Sequence, residues 1–165
     1  MMVPHTSCRN TFVLIGLLLA STTNAQEHSV ARRWNDALLA NIKKDFARPP
    51  IQARNLFHVS AAMYDAWAAY SPNVDPWLLG RTRGGCTCGF DGVALPNDID
   101  AACTEAVSFA AFRLIRHRFQ NSPGAATTLP PLDDLMDSLG YDRTNTSLDY
   151  VRGGPAELGN YIAAS

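Results

Sequence analysis

The chain has 165 residues, 47% of them hydrophobic and 18% charged, which is enough for one globular domain with its own core. Basic and acidic residues nearly cancel, 14 against 15, for a formal net charge of -1. That balance carries no electrostatic footprint of a nucleic-acid binder or of a protein drawn to an anionic membrane surface.

The first 25 residues read as a secretory leader. Arg9 supplies a weakly positive start, Phe12 to Ala20 a short apolar core, and Thr23-Asn24-Ala25 a small-x-small cleavage pattern. The apolar run is well short of the roughly 20 residues that a spanning helix needs. Cys8 precedes this run, whereas an acylated lipoprotein cysteine would follow it. The mature chain is expected to begin near Gln26 in a secreted or periplasmic setting, with no membrane association after cleavage. Cys86, Cys88 and Cys103 then remain. In an oxidising compartment a disulfide between Cys103 and one of the other two is the leading expectation, worth on the order of 3 kcal/mol. A Cys86–Cys88 bridge would be strained by its short spacing, and a zinc site has no evident fourth ligand at a usual distance.

In chain order, Ser29 caps a first expected helix whose ladder is Val30, Trp34, Leu38, Ile42 and Phe46, ended by Pro49 and Pro50. Arg48 is pushed toward an extended conformation by the proline after it. The longest helical pattern follows, Ala53 to Tyr70. A broad apolar arc there runs through Leu56, Phe57, Val59, Met63, Tyr64, Trp67 and Tyr70, with Ala53 and Ser60 inside it. The rest of the chain is expected to pack around this helix.

Residues 73–96 show no periodicity and alternate glycines with Pro76, Asp91 and two cysteines, which reads as a long loop held by a disulfide. Asn97 caps a helix running to the residues before Pro123, with Arg113, Arg116, His117 and Arg118 at its end. A short helix is expected over Pro131 to Leu139, stopped by Gly140. Tyr141 to Gly154 is polar and loop-like, and contains the glycosylation triplet Asn145-Thr146-Ser147. Pro155 opens a last helix whose pattern is still running at Ser165, so the sequence reads as cut. No repeat and no hairpin pattern is evident, and the expected class is all-α.

The run WNDALLANIKKDFARPPIQARNLFHVSAAMYDAWAAY, Trp34 to Tyr70, resembles the N-terminal helices of vanadium-dependent haloperoxidase-like proteins. These belong to the acid phosphatase and vanadium haloperoxidase superfamily. Leu139 to Ser165 is similar to a following segment of the same proteins. The resemblance implies the helical-bundle portion of a haloperoxidase-like fold over residues 26–165, incomplete, with vanadate as the cofactor of a complete member. That family's chemistry uses a Lys and Arg in a K-x6-RP segment, a Ser-Gly-His turn, and a later Arg and His. Fixed cations and backbone N–H groups suit a tetrahedral oxyanion.

Those parts are not in this sequence. Lys43 and Lys44, the sole lysines, precede Arg48-Pro49 with four and three intervening residues, and Ser-Gly-His does not occur. No catalytic, cofactor-binding or metal residue is therefore assigned in this chain. The resemblance implies a scaffold whose catalytic half is missing and whose uncovered apolar helix faces could self-associate. A small secreted all-α binding protein is the other reading.

Three further groups invite a site. Arg54, His58 and Asp65 share a helix stripe, as a pocket wall or, more commonly, as a buried polar stripe satisfied by its neighbours. Arg113, Arg116, His117 and Arg118 suit an anion or, more commonly, a solvated helix end. Trp34 and Trp67 read as core, Trp77 belongs to no carbohydrate platform, and Ser60 has no evident base partner.

Overall fold

A computed structural model describes residues 28–165. The expected leader and its cleavage point lie outside the described residues. Six helical segments and one small hairpin make up the described part, so the all-α expectation holds at the level of class.

The first helix, α1 (Val30–Lys43), starts where Ser29 Oγ accepts the Arg32 N–H at 3.4 Å. It buries Trp34 and Leu38 completely. The helix ends before the ladder does, so Phe46 lies beyond it, 56% exposed. Arg48, at φ -124° and ψ 80°, is non-helical but short of fully extended, and Pro49-Pro50 opens α2 (Pro49–Ala68) as well as closing the previous segment. A proline in the first turn sacrifices no intrahelical bond, because those N–H groups have no partner there anyway.

The face that α2 buries differs from the expected one. Val59, Met63 and Tyr70 are buried, but so are Ala62, Asp65 and Ala66, while Leu56, Phe57, Tyr64 and Trp67 are exposed. Trp67 is thus not core. Small side chains let two helix axes come close, and the alanines of α2 are matched by Ala102, Ala106 and Ala110 on α3 (Ile99–Phe119). Close backbone packing wins over burial of the largest rings, which stay on the outer side.

The hub of the fold is α3, not α2. It packs against α1, α2, α5 and α6, and buries Phe109, Phe112, Ile115 and Phe119 together with its alanines. Its cap is Asp98, one residue later than expected, whose Oδ1 accepts the Ala101 N–H at 2.9 Å. A single turn, α4 (Ala125–Thr128), precedes α5 (Pro130–Ser138), which seats Leu132 and Met136 in the core. Gly140, at φ +78°, takes the left-handed conformation that ends α5. The last helix, α6 (Pro155–Ala164), lies along α3 with Gly159 at the closest approach.

The loop expected over residues 73–96 contains a hairpin, β1 (Thr82–Arg83) with β2 (Cys86–Thr87). Gly84 and Gly85, both at positive φ, form its two-residue turn. No helix among the described residues is long and apolar enough to cross a membrane.

Candidate functional site

The residue that shapes the site is Asp65. A carboxylate buried in the middle of a helix must be satisfied or it is costly. Asp65 is fully buried, and its two oxygens accept the backbone N–H groups of Trp77, Leu78 (2.7 Å) and Leu79 (3.1 Å). Leu79 is carried into the core by this contact. The excursion is therefore tied to α2 by a carboxylate and three amides, and not by the expected disulfide. Cys86, Cys88 and Cys103 are all free thiols. Cys86 and Cys88 line one cleft, whereas Cys103 faces a different groove beside Trp67, its Sγ 4.0 Å from the Trp67 carbonyl oxygen.

With the excursion anchored, the hairpin stands over the middle of α2 and the C-terminal ends of α3 and α6, and borders a cleft of about 430 Å3. Ala62, Leu79, Leu114 and Ile162 give it an apolar floor. His58, His117 and Arg118 come from α2 and α3, and Arg81 and Arg83 from the hairpin side. Tyr161 steadies the far end of the excursion by donating its hydroxyl hydrogen to the Gly89 carbonyl at 2.6 Å.

The cations of the cleft are engaged in different ways. Arg81 pairs with Asp75 at 2.9 Å. Arg83 donates Nε–H to the Trp77 carbonyl at 2.6 Å and lies over the Trp77 ring, 3.9 Å from its centroid. Arg118 lies 2.9 Å from His58 Nδ1, and since a guanidinium can only donate, the imidazole nitrogen accepts. Burial pushes the His58 pKa below its ordinary value, and the charges of Arg118 and Arg54 push it further. His58 is thus a neutral acceptor near pH 7. Among the described residues neither Arg83 nor Arg118 pairs with a carboxylate.

The structure divides the groups singled out in the sequence. Of the stripe, Asp65 is an anchor, His58 a cleft residue, and Arg54 an exposed side chain outside the cleft lining. The arginine-rich end of α3 is not simply solvated. Arg113 is half-buried and donates to Asn160 Oδ1 (2.8 Å) and to the carbonyls of Arg143 (2.9 Å) and Asn145 (2.6 Å). Arg116 binds Asp133 at 2.6 Å. Trp34 is core as expected, with Nε1–H donated to Ser108 Oγ at 3.1 Å, and Ser60 is exposed.

Arg113 belongs to a clamp on the loop from Tyr141 to Gly154. Asn160 Nδ2 donates to the carbonyls of Asn145 (2.8 Å) and Ser147 (3.1 Å). Asn145 Nδ2 donates to Glu157 Oε1 at 2.8 Å, and Glu157 Oε2 accepts the Gly154 N–H at 2.6 Å. Sequence reasoning missed this role of Asn160 and Glu157, although glutamate at the third position of a proline-opened helix is a capping signal. It also missed Arg81 and Arg83, for which Gly84-Gly85 between short polar runs was the available sign.

Among the described residues no three His, Cys, Asp or Glu side chains gather as a metal site. Comparisons with protein-family models, curated proteins and solved structures gave no match.

Proposed function

We propose that this chain is the helical scaffold of an exported vanadium-haloperoxidase-like protein and does not itself catalyse. The parent activity would be peroxide-dependent halide oxidation on bound vanadate, or phosphatase-like chemistry in the same kind of pocket. The observation that carries the proposal is the outer face of α2, where Leu56, Phe57, Tyr64 and Trp67 stand exposed beside Trp77 within the very stretch that bears the resemblance. Large contiguous apolar faces on a soluble domain usually receive another element or another chain.

The near-match to that family's lysine–arginine segment does not form a vanadate site. Lys43 and Lys44 are exposed at the end of α1, Arg48 lies against Asp45 (3.7 Å) and the Phe46 ring, and none of them lines either cleft. An oxyanion site needs its cations held in one place. No step through vanadate is therefore assigned to this chain.

Two measurements test the proposal. Reading the coding region after codon 165, in frame or across a frameshift, is expected to reveal K-x6-RP and Ser-Gly-His segments. The purified chain, given vanadate, peroxide and bromide, is expected to oxidise no halide above the buffer rate. Bromide oxidation by this chain alone would overturn the scaffold reading.

A further inference from the structure

The cleft between the hairpin, the middle of α2 and the C-terminal ends of α3 and α6 has features that no scaffold role requires. It joins an apolar floor to two arginines, Arg83 and Arg118, that pair with no Asp or Glu among the described residues, beside Arg81, which Asp75 neutralises. Asp65 is the acidic side chain in its lining, and that carboxylate is already consumed by three backbone N–H groups. Arg118 is held by a neutral imidazole nitrogen, so its position is fixed while its charge stays free for another partner. Arg83 is oriented by a carbonyl and a ring, which also leaves its charge uncompensated.

We infer that this cleft binds a medium-chain monocarboxylate, with the carboxylate on Arg118 and the aliphatic body on Leu79, Leu114 and Ile162. A planar guanidinium fork matches a carboxylate, and such charge-assisted bonds are stronger than neutral ones. A volume of about 430 Å3 lies within the range of small-molecule sites, which combine apolar walls with a few polar groups that fix orientation. A free phosphate would satisfy the cations but leave the apolar floor uncovered. An uncharged alcohol would cover the floor and leave Arg118 unanswered. The inference does not rest on the scaffold proposal, although Ile162 lies within the Leu139–Ser165 segment that carries part of that resemblance.

The test is a titration of the 15N-labelled full chain with octanoate, 1-octanol, acetate and inorganic phosphate, followed by amide NMR shifts. Octanoate is expected to move the Leu79, Leu114 and Ile162 amides saturably, and to bind about tenfold more tightly than octanol, acetate or phosphate. Arg118→Gln, at an exposed position, is expected to weaken octanoate about tenfold and leave octanol unchanged. Arg83→Gln provides a second arm, with a loss in the same direction, should the first variant fold poorly. Octanoate should also slow alkylation of Cys86 and Cys88 and leave Cys103, in the other groove, unaffected. Equal affinity for octanol and octanoate, tighter binding of phosphate, unchanged affinity in a folded Arg118→Gln protein, or no saturable shift would each overturn the inference.

Discussion

The Asp65 carboxylate and the Leu79 amide meet at 3.1 Å, joining the buried side of α2 to a residue fourteen positions further on. Because the same carboxylate also holds Trp77 and Leu78, its removal would leave three N–H groups without their acceptor. Asp65→Ala is expected to cost about 3 kcal/mol or more, from the desolvation of unpaired buried donors. Urea denaturation checks the stability. Faster alkylation of Cys86 and Cys88 checks that the cleft wall has come loose, and an unchanged rate would show that something else holds the excursion.

Gly159 predicts a second effect, at the other side of the hub. A methyl group there would come 2.5 Å from the Ala106 carbonyl oxygen and 2.6 Å from Phe109 Cβ. Backbone cannot yield as a flexible side chain does, so α6 must move away from α3. Gly159→Ala is expected to destabilise by about 1–3 kcal/mol despite the better helix propensity of alanine. A thermal midpoint equal to that of the wild type would mean that α6 does not pack along α3 this closely.

Two carboxylates give opposite pH dependences. The Asn145 amide, assisted by the Gly154 N–H, lowers the pKa of Glu157, against opposing desolvation. Its contribution is therefore present above the unfolded pKa and lost as pH falls through the folded one. Burial, and then the neighbouring charge of Glu157, raises the pKa of Glu105. Its contribution is full below the unfolded pKa and declines as pH rises through the raised folded value. Glu105→Gln is expected to stabilise at pH 7 and Glu157→Ala to destabilise, the latter by about 1 kcal/mol as a lost cap. Denaturant midpoints between pH 3 and pH 7 separate the two, and parallel profiles would contradict the assignment.

The thiols make the fourth prediction. Intact mass of the protein purified without reductant is expected to be unchanged by reduction, since all three described cysteines are free. Cys86 is exposed and should be alkylated first. Burial, and then the charge of Asp100, raises the Cys103 pKa, so less thiolate is available and Cys103 should react slowly. A mass gain of about two hydrogens on reduction would restore the disulfide expectation.

Which parts of this fold are legible in the sequence follows from the kind of signal involved. Ser29, Pro155 and Gly140 act through local backbone chemistry, and each stands where the sequence places it. The buried face of α2 was not legible. Hydrophobic periodicity weights Phe57, Tyr64 and Trp67 heavily, while the contact with α3 is made by alanines that carry little weight. The central position of α3 was hidden for a related reason: its alanines and phenylalanines bury several sides at once, which flattens any periodic signal. His58 and Asp65 could be placed on one stripe from spacing alone. That Arg81, Arg83, Cys86 and Cys88 meet His58 depends on the Asp65 anchor, and no local pattern announces it.

The loop clamp has a consequence for how the chain is made. The Asn145 nitrogen that donates to Glu157 is the atom through which an oligosaccharide would be attached in the Asn145-Thr146-Ser147 triplet. One hydrogen would be replaced by a bulky sugar where Glu157 now sits. In a cell that glycosylates such triplets, folding and sugar transfer would meet at this one nitrogen, and a sugar added first would crowd the contact that closes the turn before α6.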